Sequence, residues 1–91
     1  MSLPIYGNVT VGTTATQILA SNPARKGALI LNNGNAILYV GMDANVTPTN
    51  GMTILPQASM NQTGIFDGYR SAIYGITSAN TADVRYWDWP E

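Results

Sequence analysis

Five carboxylates, Asp43, Asp67, Asp83, Asp88 and Glu91, are the first residues to test for acid–base chemistry, because the chain has no histidine and no cysteine. Two carboxyls flanking a glycosidic bond must stand about 5–10 Å apart, and folding can bring any pair together. No two of the five lie at a spacing that demands a shared site, and each falls near an expected turn or the C-terminus, where a solvated aspartate is the ordinary occupant. Serine and threonine are plentiful, but without histidine a Ser-His-Asp triad has no general base. Without thiols, cysteine nucleophiles and thiolate metal sites are excluded too. Phosphate-cradling glycine loops and the G-x-S-x-G elbow are absent. The expectation is a protein without catalytic residues, metal or cofactor.

Asp43, Asn45 and Thr47 in "DANVTPTNG" echo the oxygen-rich start of a calcium loop, but the turn glycine and the closing bidentate glutamate are missing. A long hairpin loop held by Asn and Thr hydrogen bonds accounts for the same residues. Three N-x-[ST] triplets, at Asn8, Asn45 and Asn61, arrive without a secretory signal and carry no weight as glycosylation sites.

The C-terminal "DVRYWDW" is the most unusual local feature. Strand alternation places Val84, Tyr86 and Asp88 on one face and Arg85, Trp87 and Trp89 on the other, so both tryptophans of the protein share a side with an arginine. Trp, Tyr and Arg dominate interface hot spots, and indole faces also stack on sugars or cations. The alternative is a last strand whose indoles close one end of the core. Arg25 and Lys26 follow Pro23 at the start of a strand, where such charges ordinarily mark a solvated edge or guard against edge pairing, the other reading being a specific acidic partner. The candidate partner-binding residues are therefore Arg25, Lys26, Arg85, Tyr86, Trp87 and Trp89.

The elements that must hold these residues are strands. Short β-rich runs broken by Gly, Pro and Asn at intervals near ten residues predict a sandwich or barrel, with strands at 4–11, 15–20, 26–32, 36–42, 52–55, 60–66, 71–77 and 82–88. Asn33-Gly34 between the third and fourth runs predicts a tight β-hairpin. Its apolar residues face both ways: Ala28 and Ile30 oppose Leu29 and Leu31, and Ile37 and Tyr39 oppose Leu38, Val40 and Met42. Such a ribbon needs a cover on each side: the second sheet of the domain on one, and a loop, the N-terminal arm or another copy of the protein on the other.

Ninety-one residues, 45% of them apolar, make one domain over 1–91 with a modest core, since a chain of this length buries only ~60–65% of its unfolded surface. Four basic residues and a net charge of −1 cannot neutralise many phosphates, so nucleic acid is not an expected partner. Near-zero charge does little to keep copies apart, so a homo-oligomer is expected. The longest apolar run, 36–40, is far below the roughly 20 residues of a membrane span. The opening "MSLPIYGNVTVG" lacks a basic leader, so synthesis and folding in the cytoplasm are expected.

The order "VTVGTTATQILASNPARKGALILNNGNAILYVG", "TPTNGMTILPQAS" and "AIYGITSANTADVRYWDW" resembles a pattern in small structural proteins of tailed bacteriophages. That pattern has a V-G-T-x-A-T-x-I-L opening, N-P-x-R-K before an L-I-x-N strand, a Y-V-G strand, a T-x-x-N-G-x-x-L turn and a closing A-I-Y-x-I-x-S-x-x-T-A-D-V-R. The similarity spans about residues 9–86, and its pieces are short; order and spacing carry it. The closing Tyr-Trp-Asp-Trp departs from the pattern, which commonly ends soon after D-V-R. The resemblance implies an all-β, single-domain antiparallel β-sandwich or jelly-roll-like barrel of about 7–8 short strands. It further implies a virion component, foremost a capsid decoration or minor capsid protein that binds the major capsid protein or other virion subunits, and it transfers no catalytic residues. The alternative reading is an adsorption module of a tail or head fibre that takes host glycans through Trp87, Trp89 and Tyr86.

Overall fold

The computed structural model describes residues 4–56 and 63–90, with 63–67 described for the backbone. Eight strands follow one another with no helix among the described residues: β1 (Ile5–Val11), β2 (Thr16–Leu19), β3 (Arg25–Asn32), β4 (Leu38–Gly41), β5 (Met52–Ile54), β6 (Thr63–Asp67), β7 (Ile73–Ile76) and β8 (Ala82–Pro90). Each coincides with one of the eight expected runs, with ends displaced by up to two residues, and positions 60–62 of the sixth run lie outside the described residues.

The wiring is a folded ribbon. Doubling the chain back at the β4–β5 connection pairs β1 with β8, β2 with β7, β3 with β6 and β4 with β5, all antiparallel. Rolling that ribbon lays β8 against β3 and β7 against β4. The outcome is two four-stranded sheets, a first in the order β1-β8-β3-β6 and a second in the order β2-β7-β4-β5. This is the jelly-roll form of the β-sandwich.

Alternation explains the core. From the first sheet Val11, Ala28, Ile30, Ala82 and Val84 point inward; from the second, Ile18, Leu19, Leu38, Val40, Ile54 and Ile73 meet them. Removing each larger aliphatic side chain from water stabilises the fold by about 1.5–3 kcal/mol. The intervening residues Leu29, Leu31 and Tyr39 lie half-buried on the outer faces. Outward apolar residues on β3 and β4 thus belong to two different sheets and not to one ribbon covered twice.

The expected Asn33-Gly34 hairpin is not formed. β3 belongs to the first sheet and β4 to the second, so the connection arches across the sandwich. Neither Asn33 nor Gly34 has the positive φ of a two-residue hairpin turn; Asn80 and Gly68 are the described residues that do. Side-chain hydrogen bonding drives the arch instead. Buried Asn32 donates from Nδ2 to the carbonyls of Ala36 (2.8 Å) and Ile54 (3.0 Å), and its Oδ1 accepts from Gly34 N–H (3.1 Å). The Asn33 amide continues onto the Asp83 carbonyl at 2.8 Å. Glycine serves at 34 because the chain passes against β8: a Cβ there would stand 2.8 Å from the Asp83 nitrogen.

Candidate functional site

Antiparallel register sets which side chains meet on the outer face of the first sheet. Tyr6 of β1 lies opposite Trp87 of β8, which lies opposite Leu29 of β3. Neighbouring strands run about 4.8 Å apart, so these three residues form a continuous row across the sheet. Tyr6 is 76% exposed and Trp87 61%. Trp89, one step further along β8, faces Gly27, and a Cβ on that glycine would come within 2.6 Å of the indole Cζ2. The missing side chain at 27 is what lets Trp89 lie close to the sheet. Leu29, Trp87 and Trp89 line one shallow recess, and Pro4, Ile5, Tyr6, Trp87, Asp88 and Trp89 line a second beside it.

Two residues further along β8 the same face turns polar. Arg85 lies opposite Asn8, and Asp83 opposite Thr10. Arg85 Nη2 pairs with Asp83 Oδ2 at 3.0 Å, and Asn33 Nδ2 donates to the same oxygen at 3.2 Å. The Arg85 hydrogen bonds, then that of Asn33, hold the Asp83 carboxyl below its ordinary value against a small opposing effect of burial. The sheet therefore presents an aromatic half and a charged, hydrogen-bonded half.

Tyr86 stands apart from its expected neighbours. It points inward with Val84 and Asp88, packs against the core, and brings its hydroxyl to within 2.9 Å of where a Cβ on Gly7 would be. Its place on the aromatic face is taken by Tyr6. Alternation already sets Tyr86 opposite in sense to both tryptophans; what sequence leaves unstated is that the first strand lies beside the last, which brings in Tyr6.

Arg25 corrects a second expectation, that of a solvated strand entrance. Its side chain is 0% exposed and that of Asp88 3%, with Arg25 Nε 3.0 Å from Asp88 Oδ2. This is an ion pair by distance, but the Nε–H is not aimed for a hydrogen bond, and Asp88 Oδ1 accepts none. The guanidinium donates instead to three carbonyls: Ala20 (2.6 Å), Ser71 (2.8 Å) and Tyr69 (3.2 Å). Arg70 Nε returns a bond to the Arg25 carbonyl at 2.8 Å. A register shift in β3 between Arg25 and Gly27 turns Arg25 inward. Arg25 thus ties the two sheets and the β6–β7 connection together from inside, and is not placed to touch a partner. Lys26 next to it is exposed.

The remaining carboxylates are dispersed. Asp43 accepts from the Asn45 amide at 2.9 Å, and Thr47 and Asn50 close the rest of the β4–β5 loop. Of the oxygens that echoed a calcium loop, Asp43 Oδ1 and Thr47 Oγ1 are thus engaged by the loop's own backbone amides. Among the described residues no three acidic side chains gather as metal ligands. The side chain of Asp67, and Glu91, lie outside the described residues. One feature had no sequence signal: Met42 and Met52 are exposed beside Val40, Gly41, Tyr69 and Ile73, which together line an apolar recess at one end of the sandwich.

No protein-family model, no curated protein and no solved structure matches this chain.

Proposed function

We propose that this protein is a non-enzymatic structural subunit of a bacteriophage virion, a capsid decoration or minor capsid protein that docks on the head shell and reinforces it. The observation that carries the reading is the outward aromatic row of Tyr6 and Trp87 with Leu29 and Trp89 beside it, since large exposed aromatics clustered on a rigid sheet are the material of interface anchors. The likeness of residues 9–86 to small phage structural proteins supports the same reading. Many copies on a lattice would turn modest individual contacts into firm attachment. Purified protein added to heads lacking it should bind saturably, at a copy number commensurate with the coat lattice, and Trp87→Ala should weaken that binding at least tenfold, an effect of about 1.4 kcal/mol or more. Heads that take up none would end this reading.

The glycan-binding alternative rests on the polar half of the same face: Asp83, Arg85 and Asn8 adjoin an exposed indole, a juxtaposition suited to a sugar's hydroxyls and its apolar ring face. With Tyr86 turned inward, Tyr6 replaces it in that site. A glycan array together with a tryptophan fluorescence titration separates the two readings.

A further inference from the structure

Among the described residues the two sheets have four edges, and three of them are blunted. β2 has four residues and a register break against β7 between Gln17 and Leu19. β5 has three residues. β6 ends on the charged Asp67. Shortness, bulges and charge are the ordinary means by which a sheet refuses an extra strand. β1 has none of them. It runs for seven residues, IYGNVTV, without a charge or a proline, in unbroken register with β8 from Ile5 to Val11. In an antiparallel edge strand the N–H and C=O groups of alternate residues point away from the sheet, and those of β1 find no backbone or side-chain partner among the described residues.

We propose that β1 is an association edge that pairs antiparallel with β1 of a second copy, joining two first sheets into one eight-stranded sheet. A second copy is the fitting occupant because antiparallel pairing of a strand with itself is self-complementary about a two-fold axis. It also needs no extended segment from another protein. The uncharged strand and the net charge of −1 leave little repulsion to overcome. Full pairing of all seven residues fixes the register: the axis passes at Asn8, Ile5 lies opposite the second copy's Val11, and Tyr6 lies opposite its Thr10. The row from Leu29 through Trp87 to Tyr6 would then run on to Thr10 and Asp83 of the second copy. This inference does not depend on the virion reading above.

Charge placement across the junction tests it. Within its own fold Thr10 faces Asp83 and Tyr6 faces Trp87, so lysine is tolerated at both positions. In the pair, however, Tyr6→Lys combined with Thr10→Lys sets lysine against lysine twice. Tyr6→Asp combined with Thr10→Lys sets opposite charges together at the same two places. Light scattering coupled to gel filtration should give a dimer for the unaltered chain at tens of micromolar. The double-lysine variant should have half that mass with an unchanged circular dichroism spectrum, and the Asp/Lys variant should return to the dimer. Gln17→Lys, on the β2 edge, should remain dimeric. A monomeric unaltered chain, a dimer that survives the double lysine, or an Asp/Lys variant that stays monomeric would each overturn the proposal. For the unaltered chain, which needs no variant to fold, outward β1 amides should show exchange protection that rises with protein concentration; concentration-independent exchange there would also overturn it.

Discussion

Arg25 shows how one side chain can change its meaning between sequence and fold. An Arg-Lys pair after a proline resembles a solvated strand start, yet the bulge before Gly27 turns the guanidinium into the sandwich, where three carbonyls and Asp88 receive it. Replacing a buried pair by apolar residues is often tolerated, whereas removing one member strands the other. Arg25→Met should therefore cost roughly 3–5 kcal/mol in urea unfolding, and adding Asp88→Leu to it should recover part of that loss. Asp83 gives a second test at this scale. Its carboxyl is held below the ordinary value of 3.8, first by Arg85 and then by Asn33. A carboxyl depressed by folding stabilises the native state above the ordinary carboxylate range, and that contribution fades as pH falls through the depressed value. Arg85→Gln should move the Asp83 titration back toward 3.8, as read from its carboxyl carbon by NMR.

Among the elements, strands were legible because their signal is local. Alternation and the Gly, Pro and Asn breaks located all eight, and alternation alone set Trp87 and Trp89 on a face opposite Val84. The arch after β3 was not legible, because Asn33-Gly34 has a strong local preference for a hairpin that a long-range bond overrides. Asn32 satisfies a carbonyl of β5 at Ile54, 22 positions away, and no short window of sequence contains that partner. Asn32→Ala should leave the Ala36 and Ile54 carbonyls without their donor and cost on the order of 3 kcal/mol, at about 1–3 kcal/mol for each buried unsatisfied group. Thermal unfolding followed by circular dichroism measures it. Gly34→Ala should also destabilise, through the close backbone of Asp83. Tyr6 escaped the sequence reading for the same reason as the arch: its neighbour Trp87 lies at the other end of the chain.

At the scale of the whole molecule, pairing is nested, so the first strand closes on the last and every inner pair lies between them. β8 is an interior strand of the first sheet, bonded to β1 on one side and β3 on the other. A chain ending at Thr81 would lose both partners at once and, because small domains fold as one cooperative unit, should give the NMR spectrum of an unfolded polypeptide and not that of a smaller fold. Closure of such distant pairs also places folding among the slow, non-local cases, in milliseconds to seconds by stopped flow.

Nested pairing also fixes where the chain comes in and goes out. Ile5 lies directly across from Asp88, so the start of β1 and the end of β8 stand side by side at the same tip of the sandwich. Splicing this unit into a surface loop of a carrier protein should therefore call for only brief spacers on either flank. The aromatic row would then be presented sideways, clear of its host.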